Sequence, residues 1–409
     1  MTRYPPVFLL LAAGLAAQLR AATPESNRTV RCTFAAIPPR HRAVAVFDAL
    51  NVGCDGAVYF GTSNYGTPAK LVRYDPPSGA VEVVCDVSET MGEDLEQSIP
   101  SGKIHTLLPV ASDGTIYFGT HLGDDRCMSG EHPSLYGGGH FMSYNPATRQ
   151  CRDLGRASGQ ESVMRVELDE PRQRLYAITY PGGRLIVKDL VSGAITDKGQ
   201  ASHHGYAMPY LFADGRAYFF SRPGKIARYD PDTDAIEEVL TLPDTPNKAP
   251  LDANSLFSSM LRGLDADRTS AVGAIKAGKQ SFLYRFTVPR KRKGACGFRW
   301  LGEVPHEASS TLLAPNGDIL AYAWRSCRIH YFETASGKVH YLGVPRDAEG
   351  RAATLLFPAV FAPDGTLYFG GALDTTTDRF KQSGYGLGAL GFIRIAPEAL
   401  QQALNEARP

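Results

Sequence analysis

Five of the chain's ten histidines stand at the ends of apolar, strand-like runs, in company with tyrosine, arginine and tryptophan. His105 lies in KIHTLL, His121 closes DGTIYFGTH, His140 follows the glycines of YGGGHFMSYNP, and Tyr180 closes RLYAITY. His203, His204 and Tyr206 share the piece HHGY, Arg222 ends FFSR, and Trp324 precedes Arg325 in AYAWRSC. This set lacks the paired carboxylates of glycoside hydrolysis. The chain also lacks a GxSxG elbow and an HExxH pair. What remains is a proton-transfer pair and a cation, which suits β-elimination from a uronic acid polymer. The proton beside the carboxylate is weakly acidic, so a cation must stabilise the negative charge that develops. A His or Tyr removes that proton and another group protonates the leaving glycosidic oxygen. Trp324 or Tyr206 would stack on sugar rings.

These residues must be positioned by a repeat. Short β-branched and aromatic runs alternate with tight turns: CDGAVYFGTS, SDGTIYFGTH, PRQRLYAITYPGG, ADGRAYFFSRPG, PNGDILAYAW and PDGTLYFGGALD. Asp-Gly and Asn-Gly between such runs are hairpin signals. A degenerate copy spans Leu261 to Leu301. About seven units of roughly 40 to 55 residues result, close to the spacing of propeller blades. Each unit alone would expose apolar faces and strand edges, and a ring of units buries the faces. The expected fold is therefore all-β: a single seven-bladed β-propeller over residues 23–409, four antiparallel strands per blade, closed by the N-terminal strand Thr29 to Ile37 in the last blade. The C-terminal PEALQQALNEARP reads as a short surface helix.

With the strands of a blade lettered A to D from channel to rim, the starts of A and C and the ends of B share one face. His105, His121, His140, Tyr180, His203, His204, Tyr206, Arg222, Trp324 and Arg325 all map there. Strand-end loops on a rigid scaffold are where binding sites concentrate, and clustered titratable groups in a depression mark a candidate site. Packing histidines and polar strand ends give a purely structural account of any one of them. The run Arg290-Lys291-Arg292-Lys293 falls on the opposite face and reads as a solvated hairpin tip. Asp55, Asp113, Asp214 and Asp364 precede glycines and read as turn residues, not ligands.

Residues 1–22 have the form of a secretory signal peptide: Arg3, the apolar run Val7 to Ala17, then Ala21 and Ala22. That run is shorter than the about 20 apolar residues a bilayer span needs. The expectation is a secreted or periplasmic chain without stable membrane insertion, and a monomer. Loss of Arg3 and Arg20 takes the basic residues from 43 to 41 against 42 acidic ones, a net charge near −1 that argues against a nucleic-acid binder. The seven cysteines suit an oxidising compartment. Cys54 with Cys85, and Cys127 with Cys151, would each close a loop within one repeat, and an odd count leaves a thiol over. Asn27-Arg28-Thr29 is a glycosylation sequon, relevant only in a eukaryotic host.

KIHTLL, DGTIYFGTH, YGGGHFMSYNP and RLYAITYPGG resemble the second and third blades of propeller-type polysaccharide lyases, nearest those acting on ulvan. The resemblance covers Lys103 to Asp230. It implies an acidic, ulvan-like polysaccharide, sulfated or not, as substrate. It also implies that His121 and His140 flank the scissile bond, that Tyr180 acts as acid or base, and that Arg222 neutralises the carboxylate. His105, His203, His204, Tyr206, Trp324 and Arg325 complete the substrate-binding face. No cofactor is required by the sequence. His105, His121 and His140, with Cys127, could hold a divalent metal (zinc, calcium or manganese), although their spacings of 16 and 19 residues match no compact metal motif. The alternative is a noncatalytic exported propeller that binds a glycan or protein partner on the same face.

Overall fold

The computed structural model describes residues 28–408 apart from 42, 124–134, 204–206, 253–254, 256–262, 291, 306–307, 309 and 375–388. Its strands form seven sheets arranged as the blades of a β-propeller. Blade three shows the plan: Ser162–Asp169, Arg174–Tyr180, Arg184–Asp189 and Ile195–Gln200 pair antiparallel in chain order. Its first strand is buried at every residue, while its last is largely exposed. The inner strand SVMRVELD is buried on both faces although it carries Arg165, Glu167 and Asp169, while half-burial permits the polar ITDKGQ at the rim. The apolar clusters lie between neighbouring blades. One joins Tyr59, Leu71 and Ala49 of blade one to Ile104, Phe118 and Met142 of blade two.

The turn aspartates act structurally. Asp55 accepts from the Ala57 amide at 3.2 Å and from the Tyr59 hydroxyl at 2.9 Å. Asp214 repeats the arrangement with the Arg216 amide at 3.1 Å and the Tyr218 hydroxyl at 2.8 Å. A β-turn and a buried phenol are thus satisfied by one carboxylate. On the same side of the ring, Arg290 pairs with Asp267 and Arg292 with Asp232, so both arginines of the basic run have acidic partners.

Ring closure differs in one respect from the expected single strand. The N-terminal segment divides at buried Cys32. Thr33–Ala36 pairs antiparallel with Ala389–Ile395 and completes blade seven, as the pattern predicts. Thr29–Arg31 instead runs parallel to Val339–Arg346 and adds a fifth strand to blade six. The C-terminal helix, Pro397–Ala407, forms as expected and buries Ala403 and Leu404 against the last two blades.

The cysteine pairing is corrected. Cys85, in the outer strand Ala80–Asp86 of blade one, is bonded to Cys151, in the outer strand Gln150–Arg156 of blade two, with Cα atoms 5.7 Å apart. Cys54 is a free thiol whose Sγ lies 3.7 Å from the Ala111 carbonyl, and Cys127 lies outside the described residues. The ring makes the rims of successive blades neighbours, whereas Cys54 sits in the turn between the first two strands of blade one. Residues 1–22 and Lys291 also lie outside the described residues. Among the described residues no helix is long and apolar enough to cross a membrane.

Candidate functional site

One face of the ring carries a continuous row of aromatic and imidazole rings drawn from several blades. Phe47, in the approach to blade one, stacks on His105 with centroids 4.7 Å apart and planes 15° apart. His105 follows the inner strand Lys103–Ile104 of blade two, and its ring is 5.4 Å from that of His121 at the end of Ile116–His121. His121 in turn lies 5.5 Å from Tyr180, the end of the second strand of blade three. From Phe47 the row continues the other way to Trp324 at 5.8 Å and Phe357 at 6.3 Å, which are themselves 5.6 Å apart. Three predicted residues, His105, His121 and Tyr180, are therefore brought together, with Trp324 on the same row.

Blade two carries His121 against blade three through close backbone approach. Leu122 donates its amide to Ser162 Oγ at 3.1 Å. The glycines before His140 serve the same junction: a Cβ on Gly139 would stand 2.6 Å from both Thr120 O and Val163 N, and one on Gly138 would stand 2.1 Å from Gly159 O. Gly138 also has φ +100°, a conformation other residues rarely adopt.

His121 is 4% exposed. Its Nδ1 donates to the Leu122 carbonyl at 3.0 Å, which fixes the tautomer and leaves the lone pair on Nε2. Burial holds its pKa well below 6.5, helped by the charge of Lys103 and by His105. The ring is accordingly neutral at neutral pH. Lys103 is the direct cross-strand partner of His121, is itself 4% exposed, and has its Nζ 4.1 Å from the centre of the Tyr65 ring. His105 Nδ1 comes within 3.2 Å of Asp48 Oδ2, at ion-pair distance though not aligned as a hydrogen bond. Asp48 is fully buried.

The other predicted residues make different contacts. The His140 amide donates to Thr120 Oγ1 at 2.9 Å, and its Nδ1 sits 2.9 Å from Asp153 Oδ1 on the outer strand of blade two. Burial would raise the Asp153 pKa, but the His140 contact and the Gly155 amide outweigh it and hold the carboxyl below its ordinary value. Arg222 is exposed and spans Glu238 with two 2.8 Å contacts, from Nε and Nη2. His203 is exposed, with its amide 2.8 Å from Ser221 O. Exposed Arg325 places its guanidinium 5.6 Å from the Trp324 ring. His204 and Tyr206 lie outside the described residues.

Four residues of this row and its surround were not singled out from sequence: Phe47, Asp48, Lys103 and Phe357. A lone carboxylate inside the apolar run AVAVFDAL, and a lysine two residues before His105, were the available signals. Among the described residues no three His, Cys, Asp or Glu side chains gather as metal ligands. His140, turned to Asp153, does not converge with the other two histidines.

The fold and site define a seven-bladed propeller whose ring-lined face is suited to chemistry or to binding. Neither a known family profile nor a curated relative matches the chain in sequence. Solved structures do match in fold. A streptogramin B lyase aligns with TM-score 0.56 at 13% identity, over 89% of this chain and 96% of its own. An oligogalacturonate lyase in complex with manganese aligns at 0.54 and 12%, over 92% and 99%. The WD40 repeats of RRP9 align equally well, at 0.54 and 10%, over 90% and 98%. At such identities the likeness is one of architecture.

Proposed function

We propose that the protein is a polysaccharide lyase that cleaves a uronic-acid-containing polymer by β-elimination on this face. The observation that carries the proposal is the contact row His105, His121, Tyr180, with a neutral imidazole at its centre. Nε2 of His121 removes the proton on the carbon beside the carboxylate. The electrons form the carbon–carbon double bond as the glycosidic C–O bond breaks, and the Tyr180 hydroxyl protonates the departing oxygen. Lys103 supplies the positive charge beside His121. Arg222 and His140, which the sequence resemblance implicates, would reach substrate only by releasing Glu238 and Asp153. Phe47, Trp324 and Phe357 offer stacking surface next to the reacting groups.

The oligogalacturonate lyase shows that a propeller of this shape can carry uronate lyase activity. Ulvan as the polymer rests on the sequence resemblance alone. We further propose export, supported by the signal-like residues 1–22 and by the Cys85–Cys151 bond. The test is ultraviolet absorbance of the protein mixed with a panel of uronic acid polysaccharides, with and without chelator. A rise from an unsaturated product supports elimination, and Tyr180→Phe should then lower turnover by about 100-fold or more with little loss of affinity. A flat trace across the panel, joined to saturable glycan binding, would replace the lyase with a binding propeller, a reading that the WD40 likeness keeps open.

A further inference from the structure

Between blades three and four the ring encloses a charge that the proposed reaction does not use. Arg165, on the inner strand Ser162–Asp169, is fully buried. Its guanidinium carbon lies 4.1 Å from the centre of the Tyr210 ring, and Nη1 is 3.8 Å from the sulfur of Met208. Nη2 approaches Glu167 Oε2 only to 3.8 Å. Among the described residues Nε and Nη2 have no hydrogen-bond partner, and both are buried. A buried donor left unmet destabilises the fold, and an uncompensated buried charge does so more.

Glu167 does not cancel the charge, because it is shared. Its Oε1 is bonded to the Arg268 guanidinium, which also donates from Nε to the Leu211 carbonyl at 2.8 Å. Two guanidinium groups thus meet one carboxylate, and one positive charge is left over. Arg268 is 41% exposed and screened by water; Arg165 is not. A second unmet donor belongs to the same packed cluster. Tyr284, grouped with Met208 and Tyr210, has a buried hydroxyl with no partner.

We propose that this is a binding site for a small monovalent anion of the halide class, seated on the Nε and Nη2 edge of Arg165. Water alone would satisfy the donors and leave the charge. A monovalent anion satisfies the donors and cancels the charge, and the complete burial of Arg165 favours a monatomic ion over carboxylates and phosphates. Such an ion ties the inner strands of blades three and four together. The proposal is independent of the lyase reading, since it rests on the burial and contacts of Arg165 alone.

The deciding experiment is diffraction at the bromine edge from crystals of the intact protein soaked in bromide. An anomalous peak at hydrogen-bond distance from Arg165 Nε and Nη2 is expected. Density there without anomalous signal would overturn the proposal in favour of buried water. In solution, thermal unfolding is compared in chloride and acetate at equal ionic strength. The wild type and an Arg290→Met control should melt higher in chloride, and Arg165→Met should lose the difference. A chloride effect that persists in Arg165→Met would also refute the site. If that variant does not fold, the wild-type crystal still decides.

Discussion

Protonating His121 must cost the folded state, and the cost is measurable. The ring is 4% exposed, its Nδ1–H is committed to a carbonyl, and Lys103 stands across the strand pair, so a second proton on the ring is poorly hydrated and meets a like charge. In the unfolded chain the group titrates near 6.5; in the folded chain its pKa lies well below that. Between the two values the unfolded state binds the extra proton. Stability from this group is therefore complete above about pH 6.5 and falls as pH drops, by up to about 1.4 kcal/mol for each unit. The assay is urea unfolding at pH 7.5, 6.5, 5.5 and 4.5 for the wild type and His121→Asn. Asn keeps a donor for the Leu122 carbonyl but has no proton to gain. Carboxylates such as Asp153 titrate in both proteins, so the difference between the two curves isolates the histidine. It should shrink steadily below pH 6.5. Parallel curves down to pH 4.5 would refute the claim that His121 is buried and neutral, and with it the base proposed above.

Reduction of Cys85–Cys151, or Cys85→Ser, should destabilise the protein by about 2–4 kcal/mol in chemical unfolding, since the bond spans 66 residues of sequence; unchanged stability would mean the unfolded chain is not constrained by it. Gly139→Ala places a methyl 2.6 Å from two backbone atoms that cannot yield independently. It should cost about 1–3 kcal/mol by differential scanning calorimetry, whereas Gly56→Ala, whose Cβ meets nothing within 4 Å, is limited to the strain of its positive φ. Asp214→Asn should weaken the bonds to Tyr218 and Arg216 and leave Arg216 with one carboxylate, Asp230, in place of two, a loss of about 1.5–3 kcal/mol readable in urea unfolding.

The repeat was legible because each blade solves the same local problem. Asp-Gly turns, β-branched middles and polar outer strands recur with a fixed order, so blade number and strand count follow. Residues at the ends of second strands were legible too, and His121 and Tyr180 meet as that order requires. What could not be read was anything set by neighbours across the ring. Phe47 precedes the first blade, yet it stacks on His105 of the second. Cys85 finds Cys151 because rims touch, not because sequence is short between them. Side-chain direction was the other gap. His140 and Arg222 sit at the expected strand ends, but opposing outer-strand carboxylates, Asp153 and Glu238, draw both toward the rim. Only the register of the last strand pair, with its bulge after Asp153, reveals that in blade two.

The divided N-terminal segment has a consequence for how the chain reaches its final form. Thr29–Arg31 and Thr33–Ala36 can find their partners only once Val339–Arg346 and Ala389–Ile395 exist. Both short strands therefore stay unpaired until partners about 300 or more residues later in the chain have been made. Contacts this remote in sequence form late and slowly, and open strand edges invite association with other chains meanwhile. Because one short stretch serves two blades, the last two blades are completed together by a single docking event. Late fastening of the ring at this seam is what such remote partners favour.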